Sequence, residues 1–272
     1  MPDVCFAASY VVWYGAPVPP WRWTIGPFGV KDLFTVINIL GGVAGIIFVI
    51  DGRPQLAGLA VFAGYLFGDA LDGTVARLTG TSNKFGSEFD TATDHLAQAI
   101  VPAVIVFGVY AQRAHSTVGA ILMAIIITFG TIRQALFSVA RIGDPLIYCG
   151  LPRTVSGYAC MSMVLSQTFA TGGDVSLIVG AILTAALSIM GIMPVPYMTH
   201  RGARRMQLYV KVLVFGFLLG PPVVFFVARP YTFDLICTFL LGYALFAWFP
   251  LSSEERATFR TRYRAWAVEV SR

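Results

Sequence analysis

The sequence predicts an all-α, polytopic bundle of transmembrane helices. Three observations predict it. Of 272 residues, 57% are hydrophobic and only 12% are charged, whereas soluble domains are roughly a quarter charged. Mean hydropathy is +0.73. Apolar runs long enough to span a bilayer recur along nearly the whole chain. A soluble protein with a very large core is the alternative, but no long polar stretch is available to cover such a core.

The first element is not a convincing signal peptide. "MPDVCFAASYVVWYGAPVPPWRW" has no basic residue ahead of its apolar part, and prolines follow at once. Tryptophans and tyrosines beside Arg22 suit the membrane interface. Residues 1–30 therefore read as an interfacial segment lying along the membrane, with a mobile tail as the alternative. Breaks at charges, Gly and Pro then divide the chain into about eight candidate spans, near 32–50, 54–77, 88–111, 117–141, 154–171, 175–195, 206–228 and 231–250. Residues 31–250 form one membrane domain, without a fixed-period repeat or an internal linker, and residues 251–272 form a basic cytoplasmic tail. Asp174 and Asp234 read as loop residues on the far side.

Basic residues set the orientation. With a cytoplasmic N-terminus, the cytoplasmic connections contain Lys31, Arg77, Lys84, Arg141, Arg153, Arg201, Arg204, Arg205 and Lys211, and the tail adds Arg256, Arg260, Arg262 and Arg264. The opposite side holds only Arg53, Arg113 and Arg229. This is a positive-inside asymmetry, placing the protein in the cytoplasmic membrane. The net charge of +5 then reflects topology and contact with anionic membrane lipids. Nucleic acid is not an expected partner, because no basic face with interleaved aromatics lies outside the membrane. Cys5, Cys149, Cys160 and Cys237 are scattered without CxxC spacing, which indicates neither a disulfide framework nor a zinc site.

The second and third spans have polar ends that face each other across the turn "LTGTSNKF". One closes with "GDALDGTVAR" and the other opens with "GSEFDTATDH". Asp69 and Asp72 are three apart, Asp90 and Asp94 four apart, so on helices each pair shares a face. Four carboxylates in a small, poorly hydrated space must become neutral or be compensated by cations. Oxygen ligands of this kind suit Mg²⁺, Mn²⁺ or Ca²⁺, and two such ions would clamp phosphate oxygens. Gly73, Ala76 and Gly86 allow a ligand close to the backbone, and Arg77 offers a planar fork to a phosphate. Solvated helix caps, glycine-mediated helix packing and a cation or proton pathway are the competing explanations of the individual residues.

Written as spacing, the stretch is Asp69-x2-Asp72-Gly73-x2-Ala76-Arg77-x8-Gly86-x3-Asp90-x3-Asp94. It resembles, at every defined position, the signature of the CDP-alcohol phosphotransferases, a family of membrane-helical enzymes. The resemblance implies a fold and a reaction in which the hydroxyl of a small alcohol displaces CMP from a CDP-linked lipid such as CDP-diacylglycerol. It implies Asp69, Asp72, Asp90 and Asp94 as ligands of two divalent ions, Mg²⁺ or Mn²⁺, with Asp94 as general base. It also implies a nucleotide site built from Asp69, Gly73, Ala76, Arg77 and Gly86, and a homodimer with its site open to the cytoplasm.

Two further stretches bear on the acceptor. "LFTVINILGG", with Thr35 and Asn38, is similar to the first span of phosphatidylserine synthases, and both residues join the implied nucleotide site. "YCGLPRTVSG" is similar to a Gly-Leu-Pro segment of the same subfamily, although the second proline usual there is replaced by Arg153 and Thr154. The paired arginines expected at the end of the fourth span are also altered: "IRQALFSVARI" keeps Arg133 and Arg141 but not the three-residue spacing. Arg133, Arg141 and Arg153 are the candidate anchors for an anionic acceptor, serine above all. Inositol phosphate, glycerol phosphate and choline remain alternatives within the family, and a cation or proton transporter is the alternative outside it.

Overall fold

The computed structural model describes residues 28–79, 83–139, 147–198, 208–249 and 251–270. Helix α1 (Val30–Ile50) begins at Gly29, whose N–H donates to Asp32 Oδ2 at 2.7 Å, an acidic side chain at the positive end of the helix dipole. Helix α2 (Pro54–Gly64) opens with proline, whose missing N–H costs nothing there. It runs through a π-helical turn, Tyr65–Asp69, into α3 (Ala70–Thr79). Helix α4 (Lys84–His95) is capped by Asn83, whose side chain accepts from Gly86 N at 2.7 Å. A second π-helical turn, Leu96–Ile100, joins it to α5 (Val101–Arg113), and α6 (Ser116–Val139) follows.

The second half contains β1 (Ile147–Cys149), α7 (Arg153–Leu165), α8 (Gln167–Thr171), α9 (Gly173–Met190), β2 (Pro196–Met198), α10 (Leu208–Val227), α11 (Thr232–Phe246) and α12 (Ser253–Val270). Within the described residues, each of the eight apolar segments expected from the sequence overlaps one helix or more. Among the described residues, five helical runs are long and apolar enough to cross a membrane, and α10 is a further apolar helix. Helix α7 has 13 residues and is therefore only about 20 Å long. The chain reaches further only by restarting as α8 after Ser166, whose hydroxyl accepts from Phe169 N at 3.0 Å. The count of eight spans is thus not carried by helix length alone.

Helix α7 is the centre of the bundle. Every residue from Gly157 to Leu165 is buried, and the helix packs on α5, α9 and α11. Helix α1 lies against α2 so closely that a Cβ on Gly41 would come 2.6 Å from Gly64 Cα. Small residues at such a crossing let two backbones touch, which is how apolar helices associate where lipid competes for every larger side chain. The outer faces are apolar: Leu33 and Leu40 on α1, Ile178 and Ile182 on α9, and Leu219 and Phe226 on α10 are all exposed. An apolar exterior of this kind belongs in lipid.

Three features differ from the sequence expectations. Strands β1 and β2 form an antiparallel ribbon with Tyr148 opposite Tyr197, an element the all-α expectation did not include. The segment after residue 250 is a helix seated on that ribbon: Phe259 packs with Ile147, Cys149, Met198 and Leu251, and Trp266 stacks on Phe137 at 6.0 Å. Asp174 and Asp234 lie in the first turns of α9 and α11 rather than in loops. Asp234 accepts from Gln167 N at 2.7 Å and Thr168 N at 3.0 Å, satisfying two free donors at the start of α8. Cys149, Cys160 and Cys237 are free and buried, as expected of small core side chains. Cys5 and the interfacial segment through residue 27 lie outside the described residues.

Candidate active site

The two π-helical turns bracket the aspartates. One ends on Asp69 and the other begins just after Asp94 and His95. A π turn inserts one extra residue into a helix and rotates the turns beyond it, and such insertions concentrate at functional sites. Helix α1 backs the cluster. Its Thr35 and Asn38 are buried, and Thr35 Oγ1 and Asn38 Oδ1 lack hydrogen-bond partners among the described residues.

Asp69, Asp72 and Asp90 come together from both motif helices. One carboxylate oxygen from each lies within 4.8 Å of the others. Asp94 lies beside Asp69, each carboxyl within the other's electrostatic reach. Among the described residues, no lysine or arginine forms an ion pair with Asp69, Asp72 or Asp90. Half-buried carboxylates this close need a compensating charge. Carboxylate oxygens gathered in this way fit a divalent metal.

Gly86 occupies a different setting from Gly73 and Ala76. It is buried, and a Cβ there would lie 2.6 Å from Lys31 Cε and from Asp32 Oδ1. Lys31 pairs with Asp32 at 2.8 Å and donates to the Gly86 carbonyl at 2.9 Å. This buried pair locks the start of α1 to α4, one turn ahead of Asp90. Gly73 and Ala76 are half-buried on α3. The Arg77 side chain and Arg141 lie outside the described residues.

Arg133 and Arg153 converge on one small pocket, which is also lined by Gln98, Gly130, Ser156 and Ser188. Their commitments differ. Arg133 Nη1 donates to Cys149 O at 3.0 Å and also to Gly191 O, while the guanidinium stacks on Phe137. It ties the end of α6 to the β ribbon and to the end of α9. Gly150 beside it has φ +70°, a conformation suited to glycine, and a Cβ there would come 2.9 Å from Arg133 Nη1.

Arg153 instead reaches Asp94. Its Nη2 lies 3.4 Å from Asp94 Oδ2, its Nε 3.5 Å from Gln98 Oε1, and its Nη1 donates to Gln134 Oε1. Gln98 and Gln134 were not singled out in the sequence. The signal that could have found Gln98 is a lone amide in an apolar run, one helical turn beyond Asp94.

Residues 30–193 match the family model for CDP-alcohol phosphatidyltransferase, and the chain belongs to that family. The match takes in every described element of the site, from α1 to the end of α9. Among curated relatives, the chain is similar to proteins named CDP-diacylglycerol–serine O-phosphatidyltransferase. One from Helicobacter pylori strain J99 is 29% identical over 189 residues, covering 68% of this chain and 78% of the relative. One from Methanocaldococcus jannaschii is 28% identical over 124 residues, covering 45% of this chain and 54% of the relative. One from Saccharomyces cerevisiae is 31% identical over 115 residues, covering 40% of each.

Proposed function

We propose that the protein transfers the phosphatidyl group of CDP-diacylglycerol to the hydroxyl of L-serine, releasing CMP and forming phosphatidylserine. The observation that carries this reading is the Asp69, Asp72 and Asp90 cluster beside Asp94 and Arg153. Carboxylates gathered in this way suit a diphosphate held through metal, and an arginine beside a small pocket suits an acceptor with a carboxylate. The names of the similar proteins from Helicobacter pylori and Methanocaldococcus jannaschii favour serine as that acceptor.

Asp69, Asp72 and Asp90 would hold Mg²⁺ or Mn²⁺, with Asp94 beside a second ion. The ions, when bound, neutralise charge on the diphosphate and on the departing CMP. Asp69, Thr35, Asn38, Gly73, Ala76, Arg77 and Gly86 form the proposed nucleotide site, Thr35, Asn38 and Gly86 from behind the aspartates and Gly73 and Ala76 on α3. In the transfer, the serine hydroxyl oxygen bonds to the phosphorus carrying diacylglycerol. The bond from that phosphorus to the CMP oxygen breaks, and Asp94 takes the hydroxyl proton. Arg153 holds the serine carboxylate, with Arg133 and Arg141 as the further candidates.

The site lies at the end of the bundle that carries Lys31, Lys84, Arg133 and Arg153, which by the positive-inside rule is the cytoplasmic face of the cell membrane. A homodimer and the interfacial placement of residues 1–30 belong to the same proposal, by resemblance to the family and by composition. Choline fits less well, because two arginines line the pocket and a quaternary ammonium prefers aromatic faces. A transporter would place its acids near the membrane midplane, whereas these gather at one helix end.

The test supplies purified protein with CDP-diacylglycerol, Mn²⁺ and one acceptor at a time from serine, inositol phosphate, glycerol phosphate and choline, and identifies the lipid product by mass. Phosphatidylserine from the serine reaction alone is the expected result. A product from another acceptor and none from serine would reassign the pocket.

A further inference from the structure

Gln98 is 3% exposed and sits in the π-helical turn after α4. Its two polar atoms are divided between opposite charges. Nε2 donates to Asp94 Oδ1 at 2.8 Å, while Oε1 accepts from Thr154 Oγ1 at 2.8 Å and faces Arg153 Nε at 3.5 Å. This amide orientation is fixed by chemistry. An arginine only donates and an ionised carboxylate only accepts, so the flipped amide would oppose both neighbours. The seat itself is built by close packing: any side chain at Gly157 would strike the Gln98 carbonyl, so glycine lets the first turns of α7 press Arg153 and Thr154 against it.

An arginine and a carboxylate facing each other in a half-buried site ordinarily close into a bidentate pair near 2.8 Å. Here the contact is single and long, Nη2 to Oδ2 at 3.4 Å. Neutral acceptors occupy the other directions of the fork, with Gln98 at Nε and Gln134 at Nη1. Gln98 also occupies the second oxygen of Asp94. Neither amide neutralises a charge. Both charges therefore stay available, the guanidinium toward the pocket and the carboxylate toward Asp69.

We infer that Gln98 is a positioning residue that limits Asp94 and Arg153 to a single long contact. It keeps Arg153 free to receive the acceptor carboxylate and Asp94 free to take the acceptor's proton. Gln134 supports the arginine half of this arrangement only. Without Gln98 the two charges close on each other, and the acceptor must compete with Asp94 for Arg153. This rests on the reading of Arg153 as the serine anchor.

The experiment measures steady-state kinetics of purified full-length Gln98→Met, Gln98→Glu, Gln134→Met and Arg153→Met with CDP-diacylglycerol, Mn²⁺ and serine. Mn²⁺-dependent CDP binding serves as the check that the nucleotide site is intact. Gln98→Met should raise the serine KM by about tenfold or more and lower kcat, with the KM for CDP-diacylglycerol unchanged. Gln98→Glu matches glutamine in shape but repels Asp94 and captures Arg153, and should be worse. Gln134→Met should raise the serine KM while kcat holds, and Gln98→Glu, which keeps the shape of glutamine, carries the test if Gln98→Met fails to fold. A serine KM unchanged in Gln98→Met or Gln98→Glu, or a KM that rises equally for both substrates, overturns the inference. Should Arg153→Met itself leave the serine KM unchanged, the anchor reading fails with it. A raised KM in Arg153→Met beside unaltered glutamine variants removes the inference and leaves the anchor standing.

Discussion

Arg153, in the first turn of α7, donates to Asp94 Oδ2 across 3.4 Å and so links residues 59 positions apart in sequence. The contact joins the carboxylate motif of α2 to α4 with the Gly-Leu-Pro segment that precedes α7. One helix end thereby carries both the residues suited to a diphosphate and those suited to an anionic acceptor.

Asp94 is asked to take a proton, which an amide of the same shape cannot do. Asp94→Asn should lower kcat by about 10²- to 10⁴-fold. Calorimetric titration of CDP in the presence of Mn²⁺ should find binding nearly as tight as in the unchanged protein. Retained turnover would remove Asp94 from its role as base.

Asp90 contributes an oxygen to the three-carboxylate cluster. Asp90→Asn removes one charged oxygen ligand and should weaken Mn²⁺ binding by more than about tenfold, measured by electron paramagnetic resonance of free Mn²⁺ with CDP present. Equal affinity in the variant would count against metal at this site.

Gly86→Ala separates packing from ligand contact. The added Cβ meets Lys31 Cε and Asp32 Oδ1 at 2.6 Å and should cost about 1–3 kcal/mol, seen as a lower unfolding temperature in detergent without any nucleotide. A residue that only contacts nucleotide would leave that temperature unchanged and alter CDP affinity alone.

Arg133 holds two backbone carbonyls, those of Cys149 and Gly191. Arg133→Met should destabilise the fold by about 2 kcal/mol or more, since hydrogen bonds to charged groups are the strong ones and the carbonyls lose their donor. Arg229→Met at the opposite end of the bundle, where the guanidinium is exposed and stacks on Phe225, should change the unfolding temperature much less.

The helices were legible in the sequence because apolar length alone signals a span in lipid, and the aspartates because charge is conspicuous in a chain with so little of it. The hidden features depend on contacts made far along the chain. The β ribbon consists of two three-residue strands, too short for any periodicity. It is held by Tyr243 OH donating to Met198 O at 2.6 Å and Tyr197 OH donating to Ala244 O at 3.1 Å.

Lys31 read as a mark of orientation, although its neighbour Asp32 makes it half of a buried pair. Phe259 and Trp266, seven apart and so on one helix face, could have signalled that the tail docks. The basic residues around them mark the charged face of the same helix. Gln98 gave the weakest signal, because a single amide acquires meaning only once α7 brings Arg153 and Thr154 against it.

The most direct test is CMP release from CDP-diacylglycerol by the purified protein in Mn²⁺, with and without serine and with and without a chelator. Release should occur only when serine and free divalent metal are both present, in equal amount to the phosphatidylserine formed. Serine-dependent release that continues undiminished with all divalent metal chelated would contradict metal-dependent transfer to serine. Folded protein that releases no CMP with serine and metal both present would contradict it as well.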